Sequence, residues 1–70
     1  MAQMVNRLQE YRRKAGKTQR QMAEALGIKT AAGYCKKELG YTPVTLEEAA
    51  DAAEELGVTI EQLFFTSQNS

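Results

Sequence analysis

The fold is decided by residues 18–39, which read TQRQMAEALGIKTAAGYCKKEL. Thr18 and Gln21 have the spacing of a capping box, a pair of reciprocal side-chain-to-backbone hydrogen bonds that opens a helix. Gly27 predicts the end of this short helix, because glycine readily takes the left-handed conformation of a helix stop. The apolar face of the helix is formed by Met22, Ala23 and Leu26.

A second short helix is predicted directly after this one. Thr30 is its expected N-cap, the helix runs to about Leu39, and Gly40 is the expected stop. Ile28, in the intervening turn, is expected to be buried. Two short helices joined by a sharp turn form the supersecondary arrangement whose second helix can enter the major groove of DNA.

Two further helices are predicted, one on each side of this segment. Gly16 ends a first helix, whose apolar stripe recurs at helical spacing in Met4, Leu8, Tyr11 and Ala15. The capping box Thr45-x-x-Glu48 opens a fourth helix, and Gly57 ends it. The inner face of this fourth helix is expected to consist of Leu46, Ala49, Ala50, Ala53 and Leu56.

A fifth helix completes the predicted fold. It begins at the capping box Thr59-x-x-Gln62 and runs from Ile60 to about Phe65. The fold class is therefore predicted to be all-α, a compact five-helix domain over residues 1–65. Residues 66–70 form a polar tail that we expect to be frayed.

Composition excludes several classes of function. The chain has 70 residues, enough for one small domain that buries only about 60% of its unfolded surface. Cys35 is the single cysteine, so no intramolecular disulfide can form, and the chain contains no histidine to bind zinc or to activate a nucleophile. Because a glycine-rich phosphate loop is also lacking, we expect no enzyme, no metal, no cofactor and no small-molecule ligand.

The sequence also lacks signals for export or membrane insertion. Residues 1–14 become charged too early for a secretory signal, and no stretch approaches the roughly 18 apolar residues that span a bilayer. The expected location is the cytoplasm, with no membrane contact.

Charge is divided unevenly along the chain. Residues 1–40 contain all nine basic residues and three acidic ones, a net charge of +6, whereas residues 41–70 contain six acidic residues and no basic one. The net charge of the whole chain is zero. This asymmetry predicts a two-faced molecule with a basic side that could meet phosphate.

Several residues of the decisive segment are suited to contact DNA. Helix starts expose free N–H groups and the positive end of the helix dipole, and Gln19 at such a start can bond a phosphate oxygen. Ala31 and Ala32 are small enough to approach base edges, and an alanine methyl can contact thymine. Lys29 and Lys36 flank them as phosphate or guanine contacts.

Each of these residues also has a structural interpretation. Gln19 can simply favour the helix, and Lys36 can belong to a solvated face. Ala31, Ala32 and Gly33 can be small in order to let helices pack, which is compatible with approach to a groove. The acidic side chains of the fourth helix follow the spacing of a solvated surface rather than of a metal or acid–base site.

Four stretches, in this order, resemble the lambda-repressor-like (Cro/repressor, XRE-type) helix-turn-helix family. They are Leu8-x-x-Tyr11-Arg12, Gly16-Lys17-Thr18-Gln19-x-x-Met22-Ala23-x-x-Leu26-Gly27-Ile28, Glu38-x-Gly40-x-x-Pro43 and Leu56-Gly57-Val58-Thr59-Ile60-x-x-Leu63-Phe64. The resemblance covers nearly the whole domain. It implies five helices, with the third reading double-stranded DNA, and a homodimer on a pseudo-palindromic operator.

The resemblance also implies roles for individual residues in a sequence-specific transcriptional regulator. Gln19 would touch a backbone phosphate, and Arg12 would pair with Glu38, tying the first helix to the end of the third. The residues expected to contact DNA are Thr18, Gln19, Arg20, Lys29, Thr30, Ala31, Ala32, Cys35 and Lys36.

The sequence departs from the family pattern around the third helix. The turn and the start of this helix are one residue longer than in the commonest form, which can shift the helix start. Tyr34 takes an inward position, and Leu39 replaces the usual polar residue. Lys37 stands in place of an apolar residue, so its stem is expected to pack while its ammonium reaches solvent.

Two questions stay open at the level of sequence. Leu63, Phe64 and Phe65 are expected to form a dimer interface, but in the alternative two of them enter the core and one is merely exposed. The competing function is a protein-interaction module, an antitoxin or anti-repressor subunit with weak or no DNA binding. Zero net charge and a third helix poor in hydrogen-bonding groups favour that function.

Overall fold

The structure, a computed structural model, describes residues 2–67. In chain order its elements are β1 (Ala2–Met4), α1 (Leu8–Lys14), α2 (Gln19–Leu26), α3 (Ala31–Glu38), α4 (Leu46–Leu56), α5 (Ile60–Phe64) and β2 (Phe65–Ser67). The predicted five-helix, all-α class is confirmed by the helices. The two short strands are an addition that the sequence pattern did not predict.

Capping hydrogen bonds open four of the five helices. Thr18, Thr45 and Thr59 each form a capping box with the residue three positions later. Thr30 accepts a hydrogen bond of 2.9 Å from the backbone N–H of Gly33. These bonds satisfy N–H groups that the first turn of a helix leaves without partners.

The core lies between the helices, with α2 packed against α3 and α4. Its buried apolar residues are Leu8, Met22, Ala23, Leu26, Tyr34, Ala49, Ala52, Ala53, Leu63 and Phe64. Ile28 is half-buried and packs against this cluster from the turn between α2 and α3. Within residues 2–67, no helix has the length and apolar character needed to cross a membrane.

The predicted inner face of α4 is wrong at two positions. Leu46 is 77% exposed, and Ala50 also faces outward, whereas Ala52 is fully buried. The buried stripe is Ala49, Ala52 and Ala53, the spacing of three and four that keeps residues on one side of a helix. Leu46 lies in the first turn of α4, outside this stripe.

The predicted first helix begins too early and ends too late. Met4 lies in β1, and Ala15 is exposed as the C-cap of α1. Before α1 begins, the N–H groups of Val5 and Arg7 donate to the carbonyls of Phe64 and Leu63, at 2.8 and 2.9 Å. Carbonyls in the last turn of a helix need such partners, which explains why this segment is extended beside α5.

The strands pair the two ends of the described chain. β1 and β2 are antiparallel, and the paired positions are Ala2 with Ser67, Gln3 with Thr66, and Met4 with Phe65. The expectation of a frayed tail is therefore wrong for Thr66 and Ser67, because their backbone belongs to β2. The rest of that predicted tail, residues 68–70, lies outside the described residues.

Candidate nucleic-acid interface

The turn between α2 and α3 depends on two glycines. Gly27 ends α2 with a φ of 72°, a left-handed conformation that most side chains disfavour. A Cβ added at Gly33 would lie 3.1 Å from Cγ2 of Ile28 and 3.2 Å from Oγ1 of Thr30. The small size of Gly33 therefore serves the packing of the turn, in agreement with the structural interpretation of this residue.

One face of α3 is open to solvent. Tyr34 and Glu38 point into the molecule and are buried, whereas Ala32 and Lys36 are exposed. These two exposed residues are four positions apart and therefore lie on the same side of the helix. α3 is thus a surface helix with an outward face that a ligand can reach.

The nine predicted contact residues are all at least partly accessible. Gln19, Ala31 and Cys35 are half-buried. The exposed members are Thr18, Arg20, Lys29, Thr30, Ala32 and Lys36. The hydroxyl oxygens of Thr18 and Thr30 accept capping bonds, which leaves each hydroxyl proton available for donation to a phosphate.

Ion pairs reduce the number of cations available to a ligand. Lys17 pairs with Glu55 at 2.9 Å, and Lys37 pairs with Glu48 at 3.0 Å, so two cations of the basic half are neutralised by α4. Lys14 lies 3.4 Å from Glu10 on the surface of α1. Within residues 2–67, the basic residues with no carboxylate within ion-pair distance are Arg13, Arg20, Lys29 and Lys36.

Three of these unpaired cations belong to the α2–turn–α3 unit. Arg20 lies in the first turn of α2, Lys29 in the turn, and Lys36 on the outward face of α3. All three are exposed. The zero net charge of the chain therefore conceals a local excess of positive charge on the α2–turn–α3 unit.

The Arg12–Glu38 pair that the family resemblance implies is present. Nε of Arg12 donates to Oε2 of Glu38 at 2.7 Å, and Nη2 donates to Oε1 at 3.2 Å. Nη1 of Arg12 also donates to the carbonyl of Lys17 at 3.0 Å. This two-point contact joins α1 to the end of α3 and to the segment that precedes α2.

The Glu38 carboxylate is the centre of this polar cluster, with a side chain only 1% exposed. Burial acts to raise the pKa of Glu38. The Arg12 guanidinium, helped by the amide of Gln19, outweighs burial and lowers that pKa. Glu38 is therefore held as a carboxylate, and the charge of Arg12 is compensated inside the protein.

Gln19 has a partner within the protein that the sequence pattern did not predict. Its Nε2 donates to Oε1 of Glu38 at 3.2 Å. One N–H of the amide is thus directed into the polar cluster, and the second N–H is the one left for a phosphate. Gln19 links the first turn of α2 to the end of α3.

The prediction for the Lys37 ammonium is wrong. Nζ of Lys37 does not extend into solvent but donates to the carbonyl of Pro43 at 2.8 Å and pairs with Glu48. The side chain is 16% exposed. Since the ammonium is turned toward the loop and α4, it is not part of the outward face.

The predicted dimer interface is wrong for two of its three residues. Leu63 is fully buried and Phe64 is 5% exposed, so both belong to the core of the single chain. Their helix, α5, lies against α1 and α4, and both side chains belong to the apolar core cluster. Phe65 is 38% exposed, which corresponds to the alternative of two residues in the core and one on the surface.

An apolar groove lies beside Phe65. It encloses about 580 Å³. The groove is lined by residues that include Val5, Pro43, Val44, Leu46, Ile60 and Phe65. Leu46, on its rim, is 77% exposed.

Sequence reasoning missed Asn6. Its Oδ1 accepts from the N–H of Leu8 at 3.1 Å, and its Nδ2 donates to the carbonyl of Lys37 at 2.9 Å. Asparagine near a helix start is a recognisable capping signal. The contact with Lys37 joins positions 31 residues apart and has no local signal.

These features together define a small domain in which a capped helix, a tight turn and an accessible second helix follow one another. A family model described as helix-turn-helix matches residues 8–63. The chain belongs to this helix-turn-helix family, of the Cro/C1, lambda-repressor-like type, whose members are DNA-binding regulators rather than enzymes. No curated protein matches the chain.

Proposed function

We propose that this protein is a sequence-specific regulator of transcription, repressor-like, that reads the major groove of double-stranded DNA with α3. The observation that carries the proposal is the outward face of α3, where Ala32 and Lys36 are exposed at the same side of the helix. A DNA major groove is wide enough to admit one such helix. The proposal includes a cytoplasmic location, where the protein has access to DNA.

Phosphate contacts fix the position of the domain on the duplex. The first turn of α2 supplies the hydroxyl of Thr18, the free amide N–H of Gln19 and the guanidinium of Arg20. Lys29 adds a charge from the turn. Helix N-termini attract phosphate through their free N–H groups and their dipole, and such contacts orient a protein without reading sequence.

Base recognition is assigned to α3. Ala32, with Ala31 and Cys35 at the margins of the same face, offers small apolar contacts of the kind that suit a thymine methyl. Lys36, one turn further along, can reach the O6 and N7 atoms of guanine or a phosphate. Thr30 precedes the helix and can donate its hydroxyl proton.

A homodimer on a pseudo-palindromic operator is part of the proposal. The apolar groove, with Phe65 and Leu46 at its surface, is the region that we assign to contact with a second copy of the chain. Exposed apolar area of this kind is stabilised by burial in an interface. Two copies related by a two-fold axis would place two α3 helices on successive major grooves.

Selection of bound sequences from a random pool of duplexes tests the proposal directly. Enrichment of a sequence with two-fold symmetry is expected. On the selected duplex, affinity should fall steeply with salt, by about 0.9 log unit per log unit of salt for each phosphate neutralised. Replacing Arg20 or Lys36 with alanine should reduce that slope by about 0.9 each.

A matched control is Lys14→Ala, which removes a surface cation of α1 that already faces Glu10. This variant should leave affinity and slope unchanged. No enrichment from the pool, together with weak affinity that barely responds to salt, would contradict the proposal and favour the protein-interaction module. The small, apolar start of α3 is the observation that favours this second function.

A further inference from the structure

Two consecutive residues at the end of α3 form ion pairs with different helices. Glu38 pairs with Arg12 of α1, and Lys37 pairs with Glu48 of α4. In the first pair α3 supplies the anion, Glu38, and in the second pair it supplies the cation, Lys37. The end of α3 is therefore held between α1 and α4.

The Lys37 ammonium has two partners on the α4 side. Nζ donates to the carbonyl of Pro43 at 2.8 Å and lies 3.0 Å from Oε1 of Glu48. The side chains of Lys37 and Glu48 are 16% and 18% exposed. Because both charges are largely withdrawn from water, their attraction is screened less than that of a surface pair.

The same carboxylate oxygen of Glu48 also closes the capping box of α4. Oε1 of Glu48 accepts from the N–H of Thr45 at 3.0 Å, while the N–H of Glu48 donates to Oγ1 of Thr45 at 3.1 Å. One oxygen atom thus contacts both the backbone N–H of Thr45, the N-cap of α4, and the ammonium of Lys37 from α3. The orientation of α3 is thereby coupled to the start of α4.

The backbone of Lys37 is held from a third direction. Its carbonyl accepts from Nδ2 of Asn6, at 2.9 Å, and from the N–H of Gly40, at 3.2 Å. Since Asn6 precedes α1, the backbone carbonyl of Lys37 is bonded to the α1 side of the molecule, whereas its ammonium is paired with α4. Both the backbone and the side chain of Lys37 are therefore fixed.

We propose that Lys37 is a positioning residue for DNA reading, whose ion pair with Glu48 sets the angle at which α3 presents its outward face. This inference rests on the proposed function. Lys36 touches the ligand, whereas Lys37, the next residue, acts through α4. The Arg12–Glu38 pair holds the end of α3 against α1, and the Lys37–Glu48 pair holds it against α4.

The test compares the variants Lys37→Met, Glu48→Gln and the double variant with Lys36→Met as the neighbouring control. Methionine keeps most of the lysine stem. Glutamine at position 48 keeps a Thr-x-x-Gln capping box, as Thr18 and Gln21 show, but removes the charge. Affinities for the selected duplex and for a scrambled duplex are measured across a range of salt concentrations.

For each single variant we expect affinity for the selected duplex to fall about three- to tenfold. The preference over scrambled DNA should shrink, and the salt slope should stay unchanged. The double variant should be no worse than either single one, because both remove the same pair. Lys37→Arg, which retains a cation that can reach Glu48, should restore the preference. Lys36→Met should instead lower the slope by about 0.9.

The opposite pattern would overturn the proposal. If Lys37→Met lowers the salt slope as Lys36→Met does, while Glu48→Gln binds like the wild type, Lys37 contacts phosphate directly. If Lys37→Met does not fold, Glu48→Gln alone decides, because it keeps its cap. In that case, if Glu48→Gln prefers the selected duplex over scrambled DNA as strongly as the wild type does, the positioning role of Lys37 is contradicted.

Amide hydrogen exchange separates this inference from the proposed function. The N–H groups of Leu39, Gly40 and Tyr41 bond to carbonyls of the last turn of α3 and report on its order. They should exchange faster in both single variants, and unchanged exchange would contradict the coupling of α3 to α4. A wild-type protein that binds no duplex contradicts the proposed function, and these exchange rates then still decide whether the Lys37–Glu48 pair holds α3.

Discussion

Nε of Arg12 lies 2.7 Å from Oε2 of Glu38, and this contact joins two helices across 26 positions of the chain. The Glu38 side chain is 1% exposed and that of Arg12 is 11% exposed. A charge withdrawn from water to this extent is tolerated only with a partner of opposite charge in good geometry. The position of the end of α3 therefore depends on a residue of α1.

The first prediction concerns this pair. Arg12→Met should lower the free energy of unfolding by about 3–5 kcal/mol, because it leaves the Glu38 carboxylate buried without its main partner. Urea unfolding followed by circular dichroism measures the change. Arg13→Met is the matched control, since Arg13 is exposed and has no carboxylate partner within residues 2–67, and it should change stability by less than about 0.5 kcal/mol. Equal effects of the two variants would contradict the role given to Arg12.

The second prediction concerns acid. Burial acts to raise the pKa of Glu38, but the Arg12 guanidinium and its polar neighbours lower it below the ordinary value of 4.5. A carboxylate with a lowered pKa in the folded state adds stability above its unfolded pKa, and that stability is lost as pH falls toward the folded pKa. The free energy of unfolding should therefore decrease from pH 5 downward, about pH 5 being the onset of carboxylate protonation. Glu38→Gln should show a flatter decrease over the same range, and an identical pH profile would contradict this explanation.

The third prediction concerns the Tyr34 hydroxyl. Tyr34 is fully buried, and within residues 2–67 its hydroxyl has no hydrogen-bond partner of good geometry. Burial, together with the nearby Glu38 carboxylate, raises the pKa of Tyr34. Tyr34→Phe should therefore be neutral or stabilise the protein by up to about 1 kcal/mol, because a buried unpaired polar group is removed without loss of packing. A destabilisation above about 1 kcal/mol in thermal or urea unfolding would show instead that the hydroxyl bonds to Glu38 in solution.

The fourth prediction concerns self-association. Phe65→Ser should weaken the proposed dimer at least about tenfold, as expected for loss of a large apolar residue from an interface. Sedimentation equilibrium over a range of protein concentrations measures the effect. Leu39→Ser is the control, because Leu39 is 55% exposed but does not line the groove. A wild-type protein that is monomeric at high micromolar concentration would count against a stable dimer without DNA.

Local signals in the sequence predicted most of the helix boundaries. Capping boxes and glycine stops depend on residues three or four positions apart, so the starts of α2, α4 and α5 follow directly from Thr18, Thr45 and Thr59. The same logic placed the start of α3 at Thr30. These are short-range interactions, and they are visible without knowledge of the fold.

The face that a short helix buries was harder to predict. α5 has five residues, little more than one turn, so its periodicity does not say whether Phe64 or Phe65 faces the core. In α4 alanines occupy both sides of the helix, so the sequence does not show which side is buried. Ala52 rather than Ala50 is buried because packing against the other helices determines which side of α4 faces the core.

Long-range polar contacts of the candidate site were beyond the sequence pattern. The contacts of Asn6 with Lys37 and of Lys37 with Glu48 connect different helices through single side chains. Arg12 and Glu38 were accessible only through resemblance to a family. Such pairs have no spacing rule, because the fold itself brings their partners together.

The pairing of Ala2 with Ser67 makes the described chain almost a closed loop. A short peptide bridge between the two ends would convert it into a ring without displacing any helix. Such backbone cyclisation restricts the unfolded chain, so the ring should resist denaturation better than the linear form. For the same reason the domain is suited to circular permutation, in which the original termini are joined by a peptide linker and new termini are placed in a surface loop.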